Sequence, residues 1–242
     1  MPVTVEAVPC LSDNYAWLLR DQATGTVAIC DPGEAAPAIA ALDAAGGRCD
    51  LILLTHHHDD HIAGVEEVRA RYGAKVIGAK ADAHRLPKLD QAVAPGDSVM
   101  VGQTRGEVID SPGHTIGHIA FHFPEGHVLL CGDTLFSLGC GRLLEGTAAD
   151  MFRALSLLKP LPPETLICCG HEYTESNARF AVTVEPDNAA LQARAEAVRA
   201  LRAASRPTLP VTLGEEMMTN PFLRAETVEE LGRIRSGKDN FR

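Results

Sequence analysis

The run Thr55-His56-His57-His58-Asp59-Asp60-His61 constrains this chain more than any other stretch. It follows the apolar run Leu51-Ile52-Leu53-Leu54, which reads as a buried strand, and leads into a helical segment from Ile62 to Tyr72. Imidazoles and carboxylates gathered at such a seam are poor packing residues and good ligands for zinc, iron or manganese. In an extended segment residues i and i+2 point the same way, so His56 and His58 can chelate one ion together. Where the chain curls into the helix, Asp60 and His61 can face a second ion beside the first. His57 alternates away from its neighbours and reads as a supporting residue, and Asp59 faces away too.

Three other strand ends carry the same signature. Ser111-Pro112-Gly113-His114 follows a strand ending at Asp110, Cys131-Gly132-Asp133 ends a second, and Cys169-Gly170-His171 ends a third. Each apolar strand gives way to a single ligand-type residue, and binding residues collect at the carboxyl ends of strands in α/β proteins. One histidine after a strand is usually a loop or core residue. Ligand residues at all four strand ends point to a shared site. His118 and His122 read as hydrogen-bonded structural residues, and His84 and His127 as surface.

The first two thirds of the chain alternate β-runs (Val3 to Val8, Tyr15 to Arg20, Thr26 to Cys30, Lys75 to Ala79, Val99 to Val101, Gly106 to Ile109, Ile119 to Phe123, Val128 to Cys131, Thr165 to Cys169) with helical runs (Pro37 to Ala45, Met151 to Leu158). This predicts an α/β architecture, sheets flanked by helices on both sides. From Glu175 onward no strand pattern is visible. The alanine-rich run Asp187 to Ala204 and the run Thr227 to Ile234 are helical, so a small C-terminal helical appendage is expected. The expected domains are residues 1–172 and 173–242.

A net charge of -10 argues against nucleic acid or an anionic membrane as partner. No apolar run approaches the ~20 residues of a membrane helix, and Met1 to Val5 shows no secretory signal. The seven cysteines are scattered through apolar runs and read as reduced thiols, which predicts a cytoplasmic protein. Cys168-Cys169 reads as part of a buried strand.

The set His56-x-His58-x-Asp60-His61, His114, Asp133 and His171 resembles the metallo-β-lactamase superfamily in residue type and order. The resemblance implies an αββα sandwich with two metals at one edge. It assigns His56, His58 and His114 to one ion, Asp60, His61 and His171 to the other, and Asp133 to both. Further motifs are similar to the hydroxyacylglutathione hydrolases, the glyoxalase II family. They are Asp13-Asn14-Tyr15, Cys131 to Phe136, Gly139 to Arg142, Glu145-Gly146-Thr147, Cys169 to Thr174, Glu185-Pro186, Asn220 to Arg224 and Arg235-x-x-Lys238-Asp239. Substrate contacts would then fall on Arg142, Tyr173, Arg235 and Lys238. Arg142 stands where many members carry lysine, and Leu144 where some carry a tyrosine that touches glutathione.

The resemblance implies a hydrolase of S-(2-hydroxyacyl)glutathione, above all S-D-lactoylglutathione, releasing glutathione and D-lactate in methylglyoxal detoxification; a monomer is expected. Two divalent ions per chain are expected, zinc first, with iron and manganese as alternatives. A metal-bridged hydroxide would attack the thioester, with Asp60 and Asp133 as the catalytic carboxylates. Because the leaving group is a thiolate of pKa about 8.5, no strong general acid is needed, and Cys140 is not needed as a nucleophile. A locally cationic pocket in an acidic protein suits an anionic substrate. The alternatives are a mononuclear-iron persulfide dioxygenase built on His56, His114 and Asp133, a hydrolase of another ester, lactone or thioester, and a non-catalytic metal-binding module.

Overall fold

The computed structural model describes residues 2–241. Met1 and Arg242, the outer ends of the two expected domains, lie outside the described residues. The β-rich part begins with β1 (Val3–Cys10), β2 (Asn14–Asp21) and β3 (Val27–Cys30), then α1 (Ala35–Ala44) and β4 (Leu51–Leu53). It continues with α2 (Asp59–Ile62), α3 (Val65–Tyr72), β5 (Lys75–Ala79) and β6 (Gln91–Val93). Next come β7 (Ser98–Val101), β8 (Thr104–Asp110), β9 (Ile119–Phe123) and β10 (Val128–Gly132), then a small hairpin of β11 (Leu135–Phe136) and β12 (Gly139–Cys140). After α4 (Ala148–Leu158) and β13 (Leu166–Cys169) the chain turns helical: α5 (Thr174–Val184), α6 (Ala189–Ala203), β14 (Val211–Thr212), α7 (Leu213–Thr219), α8 (Pro221–Arg224) and α9 (Val228–Asp239).

Two six-stranded sheets form among the described residues, in the orders β1-β2-β3-β4-β5-β6 and β14-β13-β10-β9-β8-β7. Alternate side chains of the first sheet's central strands β2 to β5 go to opposite faces, and nearly all of them are buried. Trp17, Leu19, Ala28 and Cys30 join the core between the sheets with Phe121, Phe123 and Leu130. Leu18, Ile29 and Ile52 point outward and are covered by Leu42 of α1 and Val65 and Val68 of α3. A strand buried on both faces shows no polar alternation, which is why these runs read as continuously apolar. The layers are those of the expected αββα sandwich, with α4 and the C-terminal helices on the second sheet.

Three differences from the sequence reading have local causes. The helix expected from Ile62 to Tyr72 is broken into α2 and α3. Gly64 N–H turns aside to Pro32 O at 2.9 Å, and a Cβ there would stand 2.6 Å from that oxygen. β6, β11 and β12 are too short to show a period. β14 lies in the region read as strandless, where it borders the second sheet through Leu166↔Thr212 and Ile167↔Val211. Among the described residues the C-terminal region is therefore helical apart from this one short strand.

Candidate metal centre and substrate pocket

β4, β8, β10 and β13 end at the same edge of the sandwich, and the residues that follow them converge there. His58 Nδ1 lies 3.1 Å from His56 Nε2 and 3.0 Å from His114 Nε2. Beside this trio, Asp60 Oδ2 lies 3.8 Å from His61 Nε2 and 3.4 Å from His171 Nε2. Asp133 stands between the two groups. Its Oδ2 is 3.4 Å from His114 Nε2 and 3.3 Å from His171 Nε2, and its Oδ1 is 3.4 Å from His61 Nε2. All seven residues singled out in the sequence thus meet at one place.

The side chains are aimed by partners on their far sides. His114 Nδ1–H donates to the Arg142 carbonyl at 2.8 Å, which leaves Nε2 as a bare lone pair facing the centre. His61 Nδ1 faces Asp31 Oδ2 at 3.2 Å, and His171 Nδ1 faces Asp13 Oδ1 at 2.9 Å. The Thr55 hydroxyl donates to Asp31 Oδ2 at 2.7 Å and accepts from His56 Nδ1 at 3.0 Å. Asn14 Nδ2 donates to Asp60 Oδ2 at 2.9 Å. Such outer partners fix the tautomer and orientation of a ligating imidazole.

The donor set fits divalent ions. Bonds of about 2.0–2.2 Å in tetrahedral geometry put neighbouring donor atoms about 3.4 Å apart, within the observed spread of 3.0–3.8 Å. Buried His61 Nε2 and Asp133 Oδ1 have no hydrogen-bond partner in the chain, as atoms reserved for a ligand would. A third grouping, Asp31 with His56 and His61, is geometrically close. There the Asp31 oxygens are already engaged by Thr55 N at 2.9 Å, the Thr55 hydroxyl and His61 Nδ1.

Burial, together with the neighbouring imidazoles, pushes the pKa values of His56 and His58 down and keeps these rings neutral. Burial also opposes charge on His61 and His171. Asp133, with Asp31 for His61 and Asp60 and Asp13 for His171, outweighs it and raises both, His171 to about 10. A hydrogen bond from His171, then one from Asn14, holds Asp60 well below the usual carboxylate range. Burial opposes ionisation of Asp133, but His61 and His171 hold it low as well. Two ionised carboxylates facing inward draw positive charge into the cavity.

The other histidines of the region support this frame. His118 Nε2 accepts from Asp133 N at 3.1 Å and Nδ1 meets Ser111 Oγ at 2.8 Å, so it is hydrogen-bonded as expected. His57 turns to Asp82 Oδ2 at 3.0 Å, away from the centre. Asp59 is exposed. His122 departs from expectation, since neither ring nitrogen finds a partner in the chain. It sits mid-sheet between Glu107 and Leu129, and burial lowers its pKa. His84 is exposed and His127 is half-buried.

A cavity of about 430 Å³ opens onto the centre at His114 and Asp133. Arg142, Tyr173, Arg235 and Lys238, the four residues expected to hold substrate, all line it. The Tyr173 ring stacks on His171 with centroids 4.5 Å apart. Arg142 is exposed at the mouth, with Nε 3.5 Å from Asp239 Oδ1. Arg235 is buried and donates to Cys140 O at 2.7 Å, and Lys238 Nζ donates to Ser176 O at 3.0 Å. Burial pushes the Cys140 thiol up to about 11, so it is inert beside the pocket. The orienting role of Asp31 and Asp13 is not legible in the sequence. An aspartate in Asp31-Pro32-Gly33 or Asp13-Asn14 names no histidine partner until the chain is folded.

Residues 12–171 match the family model of the metallo-beta-lactamase superfamily, and residues 172–241 match that of the hydroxyacylglutathione hydrolase C-terminus. A hydroxyacylglutathione hydrolase of Acidiphilium cryptum is 56% identical over 98% of this chain and 97% of its own length. Among solved structures, ETHE1 from Myxococcus xanthus aligns with a TM-score of 0.72 at 25% identity, over 99% of this chain and 92% of that one. TTHA1623 in a di-iron-bound form aligns with a TM-score of 0.64 at 26% identity, over 90% of this chain and 99% of that one. The two matched family models abut and between them span nearly the whole chain, and the converging histidines and aspartates lie within the first. The chain belongs to the hydroxyacylglutathione hydrolase family of the metallo-beta-lactamase superfamily.

Proposed function

We propose that the chain is a metal-dependent thioesterase that hydrolyses S-(2-hydroxyacyl)glutathione, S-D-lactoylglutathione first, to glutathione and a 2-hydroxy acid. The observation that carries the reading is the position of Asp133. It touches both donor groups and lines the floor of a cavity whose wall holds two arginines and a lysine.

In this reading His56, His58 and His114 hold one divalent ion, Asp60, His61 and His171 a second, and Asp133 both. Zinc is the proposed metal, since imidazole and carboxylate donors suit it, with iron and manganese as the chemical alternatives. Ions held there supply a water of lowered pKa and an electrophile for the thioester carbonyl. The chain's own residues do the rest. Asp60 and Asp133 set the charge of the floor and accept hydrogen bonds from a water bound between them. Arg235, Lys238 and Arg142 meet the carboxylates of the tripeptide, which holds the thioester over the floor. Tyr173 walls the pocket beside His171. The thiolate leaves without a protonated partner, which fits a floor with no unassigned acid.

Residues 1–172 supply the metal donors in this reading and residues 173–242 most of the substrate wall, through Tyr173, Arg235 and Lys238. One chain supplies everything, so we propose a monomer. All seven cysteines are free and buried, which suits a reducing compartment, and we propose the cytoplasm. Among the described residues no helix is long and apolar enough to cross a membrane. The oxygenase alternative is not favoured, because the C-terminal family match belongs to the hydrolases. Turnover of glutathione thioesters against coenzyme A thioesters, with metal content measured on the same sample, tests the proposal. Preference for lactoylglutathione supports it. Oxygen uptake with glutathione persulfide in place of hydrolysis contradicts it.

A further inference from the structure

The hairpin β11–β12 carries two residues of the pocket wall, Phe136 and Cys140. Its tip is gripped from below by two fully buried side chains of the C-terminal region, Glu216 of α7 and Asn220 at the start of α8. Three donors converge on the Glu216 carboxylate: Ser137 Oγ at 2.7 Å, Leu138 N at 2.7 Å and Asn220 Nδ2 at 2.9 Å. The same Asn220 amide also reaches Phe136 O and Gly139 O, each at 3.0 Å. Leu138 holds φ at +58°, a left-handed conformation that a leucine rarely adopts, with its N–H aimed at Glu216.

The hairpin passes this grip to the substrate wall. Arg235 Nη1 donates to the Cys140 carbonyl at 2.7 Å, one residue beyond Gly139. The Phe136 ring meets Tyr173 edge-on at 5.4 Å between centroids. Nη2 has its own anchor in Asp239 Oδ1 at 3.0 Å, so the hairpin carbonyl sets one of the two terminal nitrogens of the guanidinium.

We propose that Glu216 and Asn220 are positioning residues for substrate. They fix the Phe136–Gly139 tip, and through Cys140 O they set the direction of Arg235 toward a carboxylate of the glutathione moiety. The inference rests on the substrate reading above. Neither residue is among those that line the pocket.

Steady-state kinetics on variants of the full chain, metal-loaded, test it. Asn220→Ser keeps the cap on Phe222 N, which Asn220 Oδ1 now accepts at 3.0 Å, but no longer reaches the hairpin. It is expected to raise KM for S-D-lactoylglutathione about tenfold with kcat changed less than about threefold. A thioester of a small neutral thiol, which has no carboxylate for Arg235, is expected to keep its kcat/KM. Glu216→Gln is expected to leave KM and kcat unchanged, because the Ser137 hydroxyl can rotate to accept from the new amide. In an Arg235→Ala background Asn220→Ser is expected to add nothing further to KM. Should Asn220→Ser be too unstable to purify, Ser137→Ala loosens the clasp from the hairpin side, with an expected rise in KM of about threefold. An unchanged KM in the purified variant, or an equal rise with and without Arg235, overturns the inference. An unaltered protein that hydrolyses no glutathione thioester overturns the substrate reading itself, and this inference with it.

Discussion

Oδ2 of Asp31 stands 3.2 Å from Nδ1 of His61, and both side chains are buried. The same carboxylate takes the Thr55 N–H at 2.9 Å, so the strand end before His56 and the helix turn at His61 share one anchor. Replacing Asp31 with alanine frees the His61 ring to rotate. Metal affinity is expected to fall about 10- to 100-fold, measured by competition against a chelator. Unchanged affinity would show that the ring is held by packing alone.

Asp133 approaches donor atoms of both groups, whereas His58 approaches those of one. Asp133→Ala is therefore expected to deplete both ions, and His58→Ala chiefly one. Elemental analysis of the two variants, purified side by side, separates these outcomes. Equal depletion would contradict the assignment of Asp133 to both ions.

Lys238 is half-buried, and burial, then Arg235 and Arg179, pushes its pKa down to about 8. A lysine loses its charge as pH rises through its pKa. Affinity for an inert S-alkylglutathione is therefore expected to weaken between about pH 7 and pH 9. Lys238→Arg stays cationic across that range and should flatten the profile. Calorimetric titration at several pH values reads both.

Glu216 is raised by burial from its ordinary 4.5 to about 7, against the hydrogen bonds from Ser137, Leu138 and Asn220 and the nearby charge of Arg194. Between those two values the folded chain keeps a proton that the unfolded chain has released. Stability is therefore greatest below about pH 4.5 for this group and is lost as pH rises to about 7. Glu216→Gln has no such slope. The melting temperature of the variant minus that of the unaltered protein should become more positive from pH 5 to pH 7.5. A pH-independent difference would show that Glu216 does not titrate in that window.

The centre was legible because its chemistry is local. Each of four strands ends in a ligand-type residue, and the i, i+2 spacing of His56 and His58 fixes a shared direction. Features made by distant contact were not legible. Asp31 meets His61, Asp13 meets His171 and Glu216 meets Ser137 only after the sheets stack. The break at Gly64 comes from the carbonyl of Pro32 pressing on the helix, which no helical period reveals. β14 is two residues long and has no period to read. The resemblance marks Arg235 as a substrate contact, but its burial against Phe222 and Cys140 O is likewise made by distant contact.

The central claim is that seven side chains from four strand ends hold two ions that turnover requires. The direct test removes metal from the purified protein by exhaustive chelation, then restores zinc stepwise while S-D-lactoylglutathione hydrolysis is followed. The account predicts no turnover in the stripped protein and full recovery near two ions per chain. Full turnover with no metal bound would contradict it.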